Sequence, residues 1–145
     1  MSKRHYEAST LIDAPIASVW RLLTSVEELK RWDSGIVRIE GSLAVGKKMK
    51  IFSEPSPEKG FTVRVERLDK EDRMVWKGGM PMGLFTGLRT FRVREKELKT
   101  HFFVFEEFSG PLAPWILPSI PDLEPQFRRF AQGLKRRAEK DAMVR

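Results

Sequence analysis

The spacing of apolar and polar residues changes twice along this chain. Near the start, Ile16, Val19, Trp20 and Leu23 recur at helical intervals, which places them on one face of a helix. Asp13 stands ahead of this run as the expected N-cap. Pro15 suits the first turn, where its missing N–H has no partner to lose. A second short helix is predicted through Val26, Leu29 and Trp32, capped by Thr24 or Ser25 and stopped at Asp33, Ser34 and Gly35. Residues 7–12, ahead of both helices, read as a strand.

From Ile36 the period falls to two. Residues 36–40, 48–52 and 61–66 alternate apolar with polar, as half-buried strands do, with turn signals at Gly41, Gly46 and residues 55–60. Further strands are predicted near 74–76, 88–94 and 98–108, broken by the Gly- and Met-rich segment 78–83 and by a turn near 95–97. The connections are too short for helical crossovers, so the sheet is antiparallel. After a run punctuated by Pro111, Pro114, Pro118, Pro121 and Pro125 the helical spacing returns. Phe127, Phe130, Ala131, Leu134 and Ala138 form the apolar stripe of a long last helix over 123–140. Short helices, then strands, then one long helix predict an α+β fold in which a curved sheet wraps the C-terminal helix.

Composition narrows the reading. A chain of 145 residues fits one domain, 1–145, with roughly 68–70 % of its unfolded surface buried, enough for one core and an internal pocket. Without cysteine there is no disulfide, thiolate nucleophile or thiolate zinc site, which fits a cytoplasmic location. No run approaches the ~20 apolar residues of a transmembrane segment. The net charge of +7 raises non-specific attraction to anions. Its densest part, Arg128, Arg129, Lys135, Arg136, Arg137 and Lys140, falls opposite the apolar stripe, where a solvated face explains it and no nucleic-acid partner is needed. Ser-His-Asp, phosphate-loop and metal-spaced histidine patterns are missing, so no metal or cofactor is expected.

Several segments resemble one superfamily in order and spacing: residues 12–15 with Val19 and Trp20, Trp32 and the strand to Gly41, Val45 with Gly46, residues 75–78, 83–87 and 90–93, and residues 106–112. The chain is similar to the START-like or SRPBCC helix-grip proteins. That group includes lipid-transfer domains, polyketide cyclases, plant pollen allergens and activators of a heat-shock chaperone ATPase. The resemblance implies a helix-grip fold: a curved seven-stranded antiparallel sheet gripping a long C-terminal helix, two short helices after the first strand, and a cavity between sheet and helix. It implies no single reaction, because this fold hosts carriers, enzymes and chaperone partners.

Within that frame the chemistry is read from strand parity. If Phe91 and Val93 point inward, Arg89 and Gly87 share their face; if Phe102 and Val104 point inward, so do Glu106 and Phe108. The resemblance puts these strands side by side, so Arg89 and Glu106 are the expected polar anchor of the cavity, since charges in an apolar enclosure need partners. Trp32, Trp76, Met80, Met82, Phe85, Phe91, Phe102, Val104, Phe127 and Phe130 complete the candidate ligand-binding set. Phe103 and Phe105 point the other way, forming a patch that a second copy of the chain could cover in a homodimer. The expected activity is binding of a small hydrophobic molecule, lipid, sterol-like or polyketide-like, without catalysis. A cyclase or dehydratase using Glu106, and a module that touches a chaperone ATPase or other protein, remain as alternatives.

Overall fold

The computed structural model of the protein describes residues 4–54 and 56–144. In chain order the strands are β1 (His5–Ile12), β2 (Ile36–Gly41), β3 (Lys48–Ser53), β4 (Ser56–Asp69), β5 (Arg73–Met80), β6 (Phe85–Lys96) and β7 (Lys99–Ser109). The helices are α1 (Ile16–Thr24), α2 (Val26–Leu29), α3 (Ala113–Ile116) and α4 (Glu124–Met143). All neighbouring strands are antiparallel, in the order β1-β7-β6-β5-β4-β3-β2. This is the helix-grip arrangement.

Alternation does the sorting. On β6 and β7, Phe91, Val93, Phe102, Val104 and Glu106 are buried on the inner face, while Phe103 and Phe105 lie on the outer face, half-covered. There Phe103 packs against the His101 ring at 4.1 Å and Phe105 stacks on the His5 ring at 6.1 Å. The inner face is closed by α4, which buries Phe127, Phe130, Ala131, Leu134 and Ala138 and leaves Arg128, Arg136 and Lys140 exposed.

Three local expectations need correction. Asp13 does not cap α1: the residue before the helix is Pro15, and Asp13 instead donates its backbone N–H to Glu139 Oε2 at 2.9 Å. It stands too far ahead of the first turn to reach the free N–H groups there. The second helix stops at Leu29, capped by Ser25, whose Oγ accepts the Glu28 N–H; Trp32 lies beyond it and donates its indole N–H to the Leu22 carbonyl at 3.1 Å. Finally, residues 56–60 and 78–80 are strand, not turn. Gly78 and Gly79 pair with Gly87 and Thr86, and ladder bonds from β6 outweigh glycine's weak strand preference.

The last helix is held at both ends. Arg129 donates to Asp33 Oδ1 through Nε at 2.9 Å and Nη2 at 2.6 Å, and to Glu54 at 3.0 Å, while Arg136 reaches Asp33 Oδ2 at 3.1 Å. The Arg129 hydrogen bond, aided by the charges of Arg129 and Arg136 and opposed by partial burial, holds the Asp33 carboxyl below its usual range. Farther along, Lys135 donates to the Leu11 carbonyl at 2.8 Å. Gly133 lets α4 come this close, since a Cβ there would collide with the Asp33 carbonyl oxygen. Gly133→Ala is therefore expected to destabilise the protein by up to about 2 kcal/mol, although alanine favours helix by about 1 kcal/mol, because overpacking costs about 1–3 kcal/mol. Thermal denaturation reads the sign directly; a stabilised variant would mean that the contact yields easily.

Candidate functional site

Between the sheet and the start of α4 lies a cavity of about 280 Å³. Its walls are mostly apolar: Phe61 and Val63 from β4, Trp76 from β5, Phe85 from β6, Phe108 from β7, and Ile120, Pro121 and Leu123 from the approach to α4. Phe85 and Phe108 stack 5.5 Å apart with nearly parallel planes, making one rigid wall. The polar lining includes Arg89, Glu106 and Gln126. Trp76, Arg89 and Gln126 also line a smaller space of about 50 Å³ that runs on toward Phe127 and Phe130.

The polar floor follows from register. Trp76 is paired with Arg89, Arg89 with Glu106 and Glu106 with Tyr6, so indole, guanidinium, carboxylate and phenol form one straight row across β5, β6, β7 and β1. Arg89 Nε donates to Glu106 Oε1 at 2.6 Å. The Arg89 side chain is 22 % exposed and that of Glu106 11 %, so the pair is largely but not wholly withdrawn from water. Aromatic rings flank the guanidinium: its carbon lies 4.8 Å from the Phe127 centroid and 5.8 Å from that of Phe61, cation–π geometry that offsets part of its desolvation. Gly87 makes room for the carboxylate, since a Cβ there would sit 2.9 Å from Glu106 Oε2 and 3.1 Å from the Phe108 ring. The Trp76 indole N–H is buried and has no hydrogen-bond partner among the described residues.

Of the residues expected from the sequence, Trp76, Phe85, Arg89 and Glu106 meet at the cavity, and Phe127 and Phe130 line the adjoining space. Phe91, Phe102 and Val104 face inward but do not reach the cavity; Phe91 and Phe102 pack on Phe130 at 5.5 and 6.0 Å, filling the core below it. Trp32 meets Phe130 at 4.8 Å on the other side and belongs to the same core. Met80, the last residue of β5, and Met82, in the turn that follows, line an outward-facing groove instead. The set lacked Phe61, which shares the parity of Val63 and Val65, and Gln126, a polar residue in an apolar helix pattern that carries no distinguishing signal.

A polar row under an apolar vault suits an amphipathic guest with its polar end at Arg89 and Glu106. His5 and His101 both stand on the outer face, away from the cavity.

Comparison with solved structures supports the architecture. A hypothetical protein of Helicobacter pylori superposes with a TM-score of 0.75 at 13 % identity, over 94 % of this chain and 89 % of that one. The Aha1 dimer of Colwellia psychrerythraea gives 0.69 at 18 % identity, over 94 % and 97 %. A Thalictrum norcoclaurine synthase, bound to a transition-state analogue, gives 0.70 at 10 % identity, over 98 % and 97 %. At these identities the likeness is one of fold. No curated protein matches the chain in sequence. Residues 3–139, nearly its whole length, match the family described as polyketide cyclase / dehydrase and lipid transport, and the chain belongs to that family within the START-like, SRPBCC superfamily.

Proposed function

We propose that the protein binds a small hydrophobic molecule in the cavity, without transforming it, and that Arg89 and Glu106 orient the guest's polar end. The observation that carries this reading is the cavity itself: aromatic and aliphatic walls around one ion pair. Such enclosures with few placed polar groups are the usual form of small-molecule sites. Of the Arg89 nitrogens only Nε bonds a carboxylate among the described residues, so the terminal N–H groups are the donors a guest oxygen would meet. Glu106 is already engaged by the Arg89 guanidinium at 2.6 Å, and His5 and His101 both stand on the outer face, which favours anchoring over acid–base chemistry.

Native mass spectrometry of gently purified protein should show a co-purified small molecule. Leu123→Trp, which fills the cavity wall, should weaken binding of the fluorescent apolar probe 1-aminoanthracene at least tenfold without lowering the melting temperature. Equal probe binding by that variant would place the guest elsewhere, and turnover abolished by Glu106→Gln would make the protein an enzyme.

The anchor also has a stability signature. Removing one partner, by Arg89→Met or Glu106→Gln, should cost about 1–3 kcal/mol, between the values for exposed and fully buried pairs, because both side chains keep some contact with water. The double exchange to Met and Leu should recover most of that loss while weakening guests with a polar head. Single variants as stable as the parent would reduce the pair to a rim contact.

A further inference from the structure

The β4–β5 ladder carries a second feature, on the outer face of the sheet. Its last matched pair at this end is Arg64 with Lys77, and β3 sets Lys48 opposite Arg64. Lys48, Arg64 and Lys77 thus form a straight row of cations along a groove of about 400 Å³. Like charges directly opposed across strands destabilise a sheet. Among the described residues none of the three is ion-paired, and one acidic residue, Glu66, lines the groove with them. A row assembled against its own repulsion in a chain of net charge +7 is complementary to an external anion.

The other rim of the groove is apolar. Met80 and Met82 line it, and Met82 is 91 % exposed. Met82 also holds a left-handed backbone, φ 59°, which is unfavourable for a residue with a Cβ and keeps its side chain at the tip of the turn. The same turn is strapped to the segment bearing α3, through the Leu112 N–H to the Leu84 carbonyl at 2.9 Å, and that helix presents Trp115, 76 % exposed. Cations beside an exposed Met, with an exposed Trp on the segment strapped to the same turn, are the composition of a surface that rests in the headgroup layer of a bilayer. Thr62, Val63, Gly78 and Gly79 line both this groove and the inner cavity, so whatever rests on the groove lies against the cavity wall.

We propose that the groove and its rim dock the protein on an anionic lipid bilayer, with Lys48, Arg64 and Lys77 on headgroup phosphates and Met82 and Trp115 in the interfacial layer. This goes beyond ligand binding in the cavity and does not depend on it. The test is co-sedimentation of the full chain with vesicles of phosphatidylcholine alone and of phosphatidylcholine containing about 30 % phosphatidylglycerol, at low and at high salt. The chain should sediment with the anionic vesicles and not with the neutral ones, and binding should fall as salt rises. At about fivefold per cation, Lys48→Gln, Arg64→Gln and Lys77→Gln together should weaken partition by about two orders of magnitude. Met82→Asp should weaken it severalfold. Met82→Asp should keep the parent melting temperature, the triple variant, relieved of the row's repulsion, should match or exceed it, and both should keep 1-aminoanthracene binding, so a failure of docking is read separately from a failure of the cavity. Equal sedimentation with neutral vesicles, or an unaffected triple variant, overturns the proposal. Glycerol phosphate competing at the groove with Met82→Asp inert would make the occupant a free anion, and binding to an acidic protein but to no vesicle would make it a protein; either result also overturns it.

Discussion

A chain ending at Pro125 is expected to show no cooperative unfolding transition. Without the rest of α4 the inner face of the sheet loses Phe127, Phe130 and Leu134, all buried in the intact protein. Phe130 alone lies against Trp32, Phe91 and Phe102. Deleting one such ring from a core costs about 3–5 kcal/mol, and a whole domain is stable by about 5–15 kcal/mol, so losing three large side chains together exhausts the margin. The polar ties to the first strand and the loop after it, from Lys135 to the Leu11 carbonyl and from the Asp13 N–H to Glu139, disappear with them. Near-ultraviolet circular dichroism and urea titration read the outcome. A sharp transition like that of the intact chain would show that the sheet is stable without its helix and would remove the basis for a closed cavity.

Phe91→Ala carries the next largest effect, a loss of about 3–5 kcal/mol. Phe91 is 1 % exposed and touches Trp76 edge-on at 4.6 Å and Phe130 at 5.5 Å, so its removal opens a hole that the stiff β6 backbone cannot close. Because Phe91 lies below the cavity rather than in its wall, the variant tests core against pocket. A loss below about 1 kcal/mol with altered binding of 1-aminoanthracene would move Phe91 into the ligand site, whereas the full loss with binding retained in the folded fraction fits the arrangement seen.

Strand parity was the most legible part of the sequence. Arg89 with Phe91, and Glu106 with Phe102 and Val104, share a face because alternation is a property of the extended backbone itself. The helical stripe of Phe127, Phe130 and Leu134 was readable for the corresponding reason. What escaped depends on partners. Gly78 and Gly79 are strand because β6 supplies their hydrogen bonds, and Met82 stands out on a turn in which both it and Gly83 take left-handed backbone, which no periodicity encodes. Parity separates inside from outside but cannot say how deep an inward residue lies. For that reason Phe91, Phe102 and Trp32 could not be told from the cavity wall, where Phe61 and Gln126 stand. Depth is set by how α4 lies across the sheet, and Gly133 and the Asp33 clamp determine that.

The strand order also dictates a schedule. From β2 to β7 each strand pairs with the next in sequence, so those contacts are local, but β1 joins β7, bringing Tyr6 to Glu106 a hundred residues away. Closing so long a loop costs more entropy than any of the hairpins and belongs late in folding. On the ribosome the order is harsher still: β1 emerges first, while β7 and α4, which cover it, emerge last. The apolar side of β1, Tyr6 and Ile12, thus stays uncovered until the rest of the sheet and α4 have followed it, and the strand made ahead of its neighbours is the last to find its place.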